Sequence, residues 1–168
     1  MIQFLPLQRR RTVQTLVVLA AGLLVSAPAL AGDAARAITG DIIELDGKHH
    51  CLFGIDAPDP GQRCTLKNGK IYDCSRIATT ALMDLLAGAS VRCRPTGAMR
   101  DRCAIARCAA DGFDLSGNMV HTGWALADPV HGAGYLGKQE SARSRRQGLW
   151  RGAFEMPWEW RARSSRQK

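Results

Sequence analysis

Along "AITGDIIELDGKHHCLFGID" the apolar positions fall into two short clusters, Ile42, Ile43 and Leu45, then Leu52, Phe53 and Ile55, on either side of Asp46-Gly47. Two such clusters about an Asp-Gly pair predict a β-hairpin. In "CSRIATTALMDLLAG" the apolar residues Ile77, Ala81, Leu82 and Leu85 instead follow helical spacing, which predicts an amphipathic helix starting near Ser75 and ending at Gly88. A second hairpin is predicted about "PTGAMRD", with Cys93 and Cys108 as facing positions. "DLSGNMVHTGWA" predicts a short helix presenting Leu115, Met119 and Val120. "YLGKQESARSRRQGLW" predicts a polar, basic helix that stops at Gly148, with Leu149 and Trp150 docking on the core. The predicted order is β-β-α-β-β-α-α, with no internal repeat and no low-complexity linker.

The N-terminus follows neither pattern. Arg9 to Arg11 precede a continuous apolar run, and small residues at Ala29 and Ala31 close it. This is the layout of a secretory signal peptide over residues 1–31, cleaved after Ala31. The apolar core from Leu16 to Val25 is shorter than the roughly 20 residues that a bilayer requires, so no stable membrane span is expected. The expected compartment is periplasmic or secreted. What remains is one domain over residues 32–160 and a basic C-terminal tail over 161–168, with a monomer as the default state.

Export changes how charge and cysteine are read. The chain carries 23 basic and 15 acidic residues, but three of the arginines lie in the predicted leader, which leaves a net charge of +5. That excess is concentrated after residue 140. A basic tail can hold nucleic acid or another anionic surface, and a solvated, frayed C-terminus accounts for it equally well. All six cysteines, at 51, 64, 74, 93, 103 and 108, follow the leader, so disulfides are their expected fate. Spacing alone does not choose among the many pairings. Cys64 and Cys74 bracket the turn-rich "TLKNGKIYD", and Cys93 and Cys108 face each other across the second hairpin; Cys51 and Cys103 have no such local partner. A zinc site fails on ligand spacing. Asp56 and Asp59, separated by Ala57-Pro58, suit either a metal site or a capped turn about the proline.

The blocks "TGDIIEL", "GIDAPD", "CSRIATTAL", "MVHTGWALA", "SRRQGLW" and "PWEWR", taken in that order, resemble the staphylococcal nuclease (thermonuclease) family over nearly all of the chain after the leader. The resemblance implies an α+β fold, an OB-type five-stranded β-barrel with about three helices. It also implies Ca²⁺-dependent hydrolysis of DNA and RNA phosphodiesters, using metal-binding acids, a glutamate that activates water and two phosphate-binding arginines. Asp41 and Asp56 match the two metal aspartates, and the carbonyl of Ala57 stands at a backbone ligand. Asp59 falls at the water-activating glutamate, one methylene shorter, and Thr39 replaces an acid of the motif, so the implied Ca²⁺ site is a weakened one.

Both arginines are missing. The first position is Cys51, five residues before Asp56, and the second is Cys103, unless the alignment slips by one residue and Arg102 serves. The resemblance thus adds a third expected disulfide, Cys51–Cys103, across the former phosphate pocket. Losing one preorganised transition-state donor costs about 10²- to 10³-fold in rate, so hydrolysis is expected to be weak or lost. The alternative is a non-catalytic OB-fold protein that binds nucleic acid or an envelope polysaccharide, since some secreted members resemble proteins associated with exopolysaccharide production. Aromatics suited to base stacking are scarce: Phe53, Tyr72, Phe113 and Tyr135 are scattered, and Trp124, Trp150, Trp158 and Trp160 are expected to pack the tail onto the barrel.

Overall fold

The computed structural model describes residues 34–166, so the expected leader, its cleavage site and the last two residues of the tail lie outside the described residues. The first hairpin forms as its pattern requires. Strands β2 (Ile42–Leu45) and β3 (Lys48–Leu52) pair antiparallel with Leu45 opposite Lys48, which leaves Asp46-Gly47 as the turn. Both turn residues have positive φ, 51° and 69°, a conformation that Gly adopts freely and Asp tolerates. A short β1 (Arg36–Ala37) extends the sheet beyond β2.

After β4 (Ile55–Asp56), β5 (Arg63–Leu66) and β6 (Ile71–Asp73) comes helix α1 (Cys74–Leu86), capped by the Asp73 side chain, which accepts from the Arg76 amide. The second hairpin pairs β7 (Val91–Arg100) with β8 (Cys103–Ala110), and β8 lies parallel to β3. The main sheet therefore runs β1-β2-β3-β8-β7, with β9 (Phe113–Asp114) also on β8. It curls into a half-barrel: β1 and β7 stand at opposite ends and are not joined by a ladder. The described fold is thus a mixed α+β one, with a six-stranded main sheet curled into a half-barrel and four helices.

Helix α2 (Leu115–His121), strand β10 (Leu126–Ala127), helix α3 (Leu136–Ser144), strand β11 (Gly152–Ala153) and helix α4 (Pro157–Ser165) complete the chain. Ile43 and Leu52 from the sheet, Leu82 and Leu86 from α1, and Leu115, Met119 and Val120 from α2 meet in one core. The apolar residues predicted for α2 are all buried, but of those predicted for α1 only Leu82 is: Ile77, Ala81 and Leu85 are half-buried, and the buried stripe runs through Ala78, Leu82 and Leu86. A smaller cluster of Cys64, Cys74 and Leu149, backed by Tyr72, Trp124 and Phe154, holds the three-stranded sheet β11-β5-β6 against the rest. No helix among the described residues is long and apolar enough to cross a membrane.

Three expectations change. The segment "PTGAMRD" is not the hairpin turn: β7 continues through it to Arg100, and the turn is Asp101-Arg102. The register shifts between Pro95 and Met99 because proline has no amide to give the ladder, and Gly97, with φ 88°, carries the extra residues as a bulge. Helix α3 ends at Ser144 rather than at Gly148; Arg146 and Gly148, both with φ 54°, turn the chain so that Leu149 is buried and Trp150 half-buried. The boundary at residue 160/161 falls inside α4, where Pro157 at the first helical position presets the backbone. Residues 161–165 are therefore the continuation of a helix and not a frayed tail.

Candidate functional site

The loop from Ile38 to Asp41 folds back on the start of β2, with the Ile38 amide donating to the Ile42 carbonyl at 2.8 Å. Gly40 lets it do so. A Cβ there would lie 2.8 Å from the Cβ atoms of both Ala57 and Ala78. This close approach sets Asp41, at the end of the loop, beside the segment that carries Asp56. Asp56 itself is fixed by β4, whose partner is Leu126 of β10, so the "GIDAPD" block is clamped by the "WALA" block. Asp59 follows one turn later, and its loop is tied down by buried Gln62, which accepts from the Asp59 amide and donates to the Glu155 carbonyl.

Asp41 and Asp56 are 6% and 2% exposed. Charges so placed need partners, and each has one. Thr39 donates its hydroxyl to Asp41 Oδ1 at 2.8 Å, and Arg100 Nη2 reaches Asp41 Oδ2 at 2.9 Å. Arg161 of α4 grips Asp56 with both guanidinium ends, at 3.0 and 2.6 Å, and donates to Asp59 at 2.7 Å. Burial pushes the Asp56 and Asp59 carboxyls above their ordinary values, against the opposing pull of Arg161. The hydrogen bond to Asp56 in turn holds the Arg161 guanidinium above its own. Thr39, Asp41, Asp59, Arg100, Asp101 and Arg161 line an open cavity of about 240 Å³.

The cysteines complete the picture. The structure joins Cys64 to Cys74, Cys93 to Cys108 and Cys51 to Cys103, with no free cysteine among the described residues. Cys51 on β3 and Cys103 at the start of β8 sit on neighbouring parallel strands, their Cα atoms 5.6 Å apart, within the usual range for a bridge. Arg100 Nη2 lies 3.2 Å from Cys51 Sγ. The third disulfide therefore lies against Arg100, the partner of Asp41.

The carboxylate oxygens that the resemblance assigns to calcium are engaged by protein donors in this arrangement. Both oxygens of Asp56 are engaged by one guanidinium, and Asp41 is shared between Thr39 and Arg100. Among the described residues no group of three or more His, Cys, Asp and Glu side chains is gathered for a metal. Ala57, the proposed carbonyl ligand, is buried beneath Gly40.

Sequence reasoning missed the two arginines that reach these acids. Arg102, the residue admitted by a one-position slip, is exposed in the turn and makes no ion pair among the described residues; Arg100, opposite Cys103 in the ladder, takes that place. Recognising Asp101-Arg102 as a two-residue turn would have found it. Arg161 lies 105 residues from Asp56 in sequence, and its only signal was membership in the "PWEWR" block. With Arg161 bound to the acids and Arg163 to Glu155, two of the arginines assigned to a free basic tail are spent on internal pairs.

No family model matches the chain. The chain is 32% identical over 120 residues to the succinoglycan biosynthesis protein ExoI of Rhizobium meliloti (strain 1021). That alignment takes in 70% of this chain and 63% of the relative, so the chain spans less than two thirds of the relative's length.

Proposed function

We propose that this is an exported, thermonuclease-like protein of the OB type whose hydrolytic centre has become a structural lock, and which serves exopolysaccharide production as a non-catalytic binding protein. The observation that carries the reading is the Cys51–Cys103 disulfide at the two positions where the resemblance sets phosphate-binding arginines. A disulfide offers a phosphate neither charge nor a hydrogen-bond donor, so the transition-state stabilisation assigned to those positions has no source there. The acids support the same conclusion, because guanidinium groups hold the oxygens that a cation would need. An exported location accords with three disulfides. The relative's part in succinoglycan biosynthesis favours a saccharide over nucleic acid as ligand.

One observation favours a second reading. Arg100 and Arg161 pair with Asp41, Asp56 and Asp59, and both arginines, Asp41 and Asp59 line a single open cavity, which is the inventory of a phosphodiester site rebuilt from different positions. Digestion of DNA and RNA by purified protein, with Ca²⁺ and with chelator, separates the two. The binding-protein reading expects turnover at least about 10³-fold below that of a relative bearing both arginines. Calcium-dependent turnover at the relative's rate, abolished by Arg100→Ala, would establish the rebuilt nuclease instead.

A further inference from the structure

The outer face of the β7–β8 hairpin carries a feature that the acid cluster does not explain. Arg94 and Arg107 stand directly opposite each other in the antiparallel register, and Arg92 lies two residues along on the same face. Like charges directly opposed across a ladder repel, and such pairs are ordinarily avoided. None of the three makes an ion pair among the described residues, and all are exposed. Arg107 is held flat on the Phe53 ring, 3.8 Å from its centroid, so its guanidinium edge stays free to donate.

The arginines line a concavity. Together with Asp111, Asp114 and Tyr135 they border an open groove of about 630 Å³, large enough for two or three sugar residues. Its floor is low because Ala109 is the residue between Arg92 on β7 and Asp114 on β9: the ladder places the three in one row, with only a methyl group in the middle. One wall is cationic, the other carries carboxylates, and the floor is small and apolar.

We infer that this groove binds a carboxylate-bearing oligosaccharide, a refinement that rests on the saccharide-binding reading above. The Arg94–Arg107 pair would take a sugar carboxylate through charge-assisted, two-pronged hydrogen bonds, and Asp111 and Asp114 would accept from ring hydroxyls. A nucleic acid would lack a platform for base stacking here, because Phe53 is covered by Arg107 and Tyr135 is only 9% exposed.

The test uses protein expressed with its native N-terminus and calorimetric titration with trigalacturonate, its fully methyl-esterified form, and single-stranded DNA of the same charge. Wild type is expected to bind trigalacturonate at least about tenfold more tightly than the ester. The double variant Arg94→Ala/Arg107→Ala should lose about tenfold or more in trigalacturonate affinity. Its melting temperature should change little, because the repulsion removed offsets the lost contact of Arg107 with Phe53. Unchanged trigalacturonate affinity in that variant, with its fold intact, overturns the groove and leaves the saccharide reading standing. Tighter binding of DNA than of trigalacturonate, lost in the variant, overturns the ligand class. Failure of wild type to bind either saccharide, together with calcium-dependent DNA digestion, overturns both this inference and the reading beneath it.

Discussion

Arg161→Ala removes the guanidinium from two carboxylates at once, and the consequence can be worked out from their surroundings. Asp56 is 2% exposed and loses both of its short hydrogen bonds. Stripping one partner from a fully buried ion pair costs about 3–5 kcal/mol, whereas a surface pair is worth about 1 kcal/mol or less. The Arg161 side chain is 43% exposed, so water reaches the pair from its side and the loss should fall between these limits, at roughly 2–3 kcal/mol near neutral pH. For a domain of this size that corresponds to a fall in melting temperature of roughly 6–12 °C.

The pH dependence supplies a sharper check. Burial already raises the Asp56 and Asp59 carboxyls above their ordinary value of 3.8 in the folded protein, and the Arg161 guanidinium is the strongest pull on both in the other direction. Without it both rise further. A carboxyl with a raised folded value binds its proton more tightly when folded, so its contribution is fully favourable below the ordinary value and is lost as pH climbs through the raised one. The variant should therefore recover part of its deficit on acidification. Urea unfolding followed by tryptophan fluorescence at about pH 7 and about pH 5 measures this. A deficit that is the same at both pH values, or smaller than about 0.5 kcal/mol at neutral pH, would refute the claim that Arg161 neutralises a buried acid pair.

Other perturbations probe the same region. Replacing Cys51 and Cys103 together by alanine reopens a loop with a sequence separation of 52 and should lower stability by roughly 4 kcal/mol on the chain-entropy model; peptide mapping without reduction that finds either thiol alkylated would contradict the bridge itself. Gly40→Ala puts a methyl 2.8 Å from the Cβ atoms of Ala57 and Ala78 and should cost about 1–3 kcal/mol in chemical denaturation, since both neighbours belong to packed backbone elements that cannot swing aside. Adding millimolar Ca²⁺ should leave the melting temperature of wild type unchanged within about 1 °C, because a ligand stabilises only through a site it can occupy; a larger rise would show that the ion displaces Arg161.

What was legible in the sequence is what local chemistry decides. Asp46-Gly47 makes a two-residue turn wherever it lies between strands, and helical spacing revealed α1 itself, although its buried stripe runs through Ala78, Leu82 and Leu86 and leaves Ile77, Ala81 and Leu85 half-buried. The Cys93–Cys108 pair was readable because a hairpin register is a short-range relation, although its turn was misplaced by the bulge at Pro95. The short pairs β4–β10 and β5–β11 left no pattern, since two residues give no period. The acids were found by their resemblance to a motif, but their partners were not. Asp56 takes its charge balance from a residue 105 positions away, and sequence adjacency carries no trace of such a pairing.

That separation has a physical consequence for the acids. The two cysteines bridge adjacent parallel strands and bring no charge to Asp41 or Asp56. Two buried carboxylates left without cations would be strongly unfavourable. Arg100 reaches Asp41 from the hairpin end next to Cys103, and Arg161 reaches Asp56 from the C-terminal helix. The C-terminal helix is thus part of the electrostatic closure of the domain and not an appendage to it. Because both arginines are engaged in holding the acids, the pairing follows from the cost of a mismatched buried charge and needs no demand for hydrolysis, which accords with the proposed binding role.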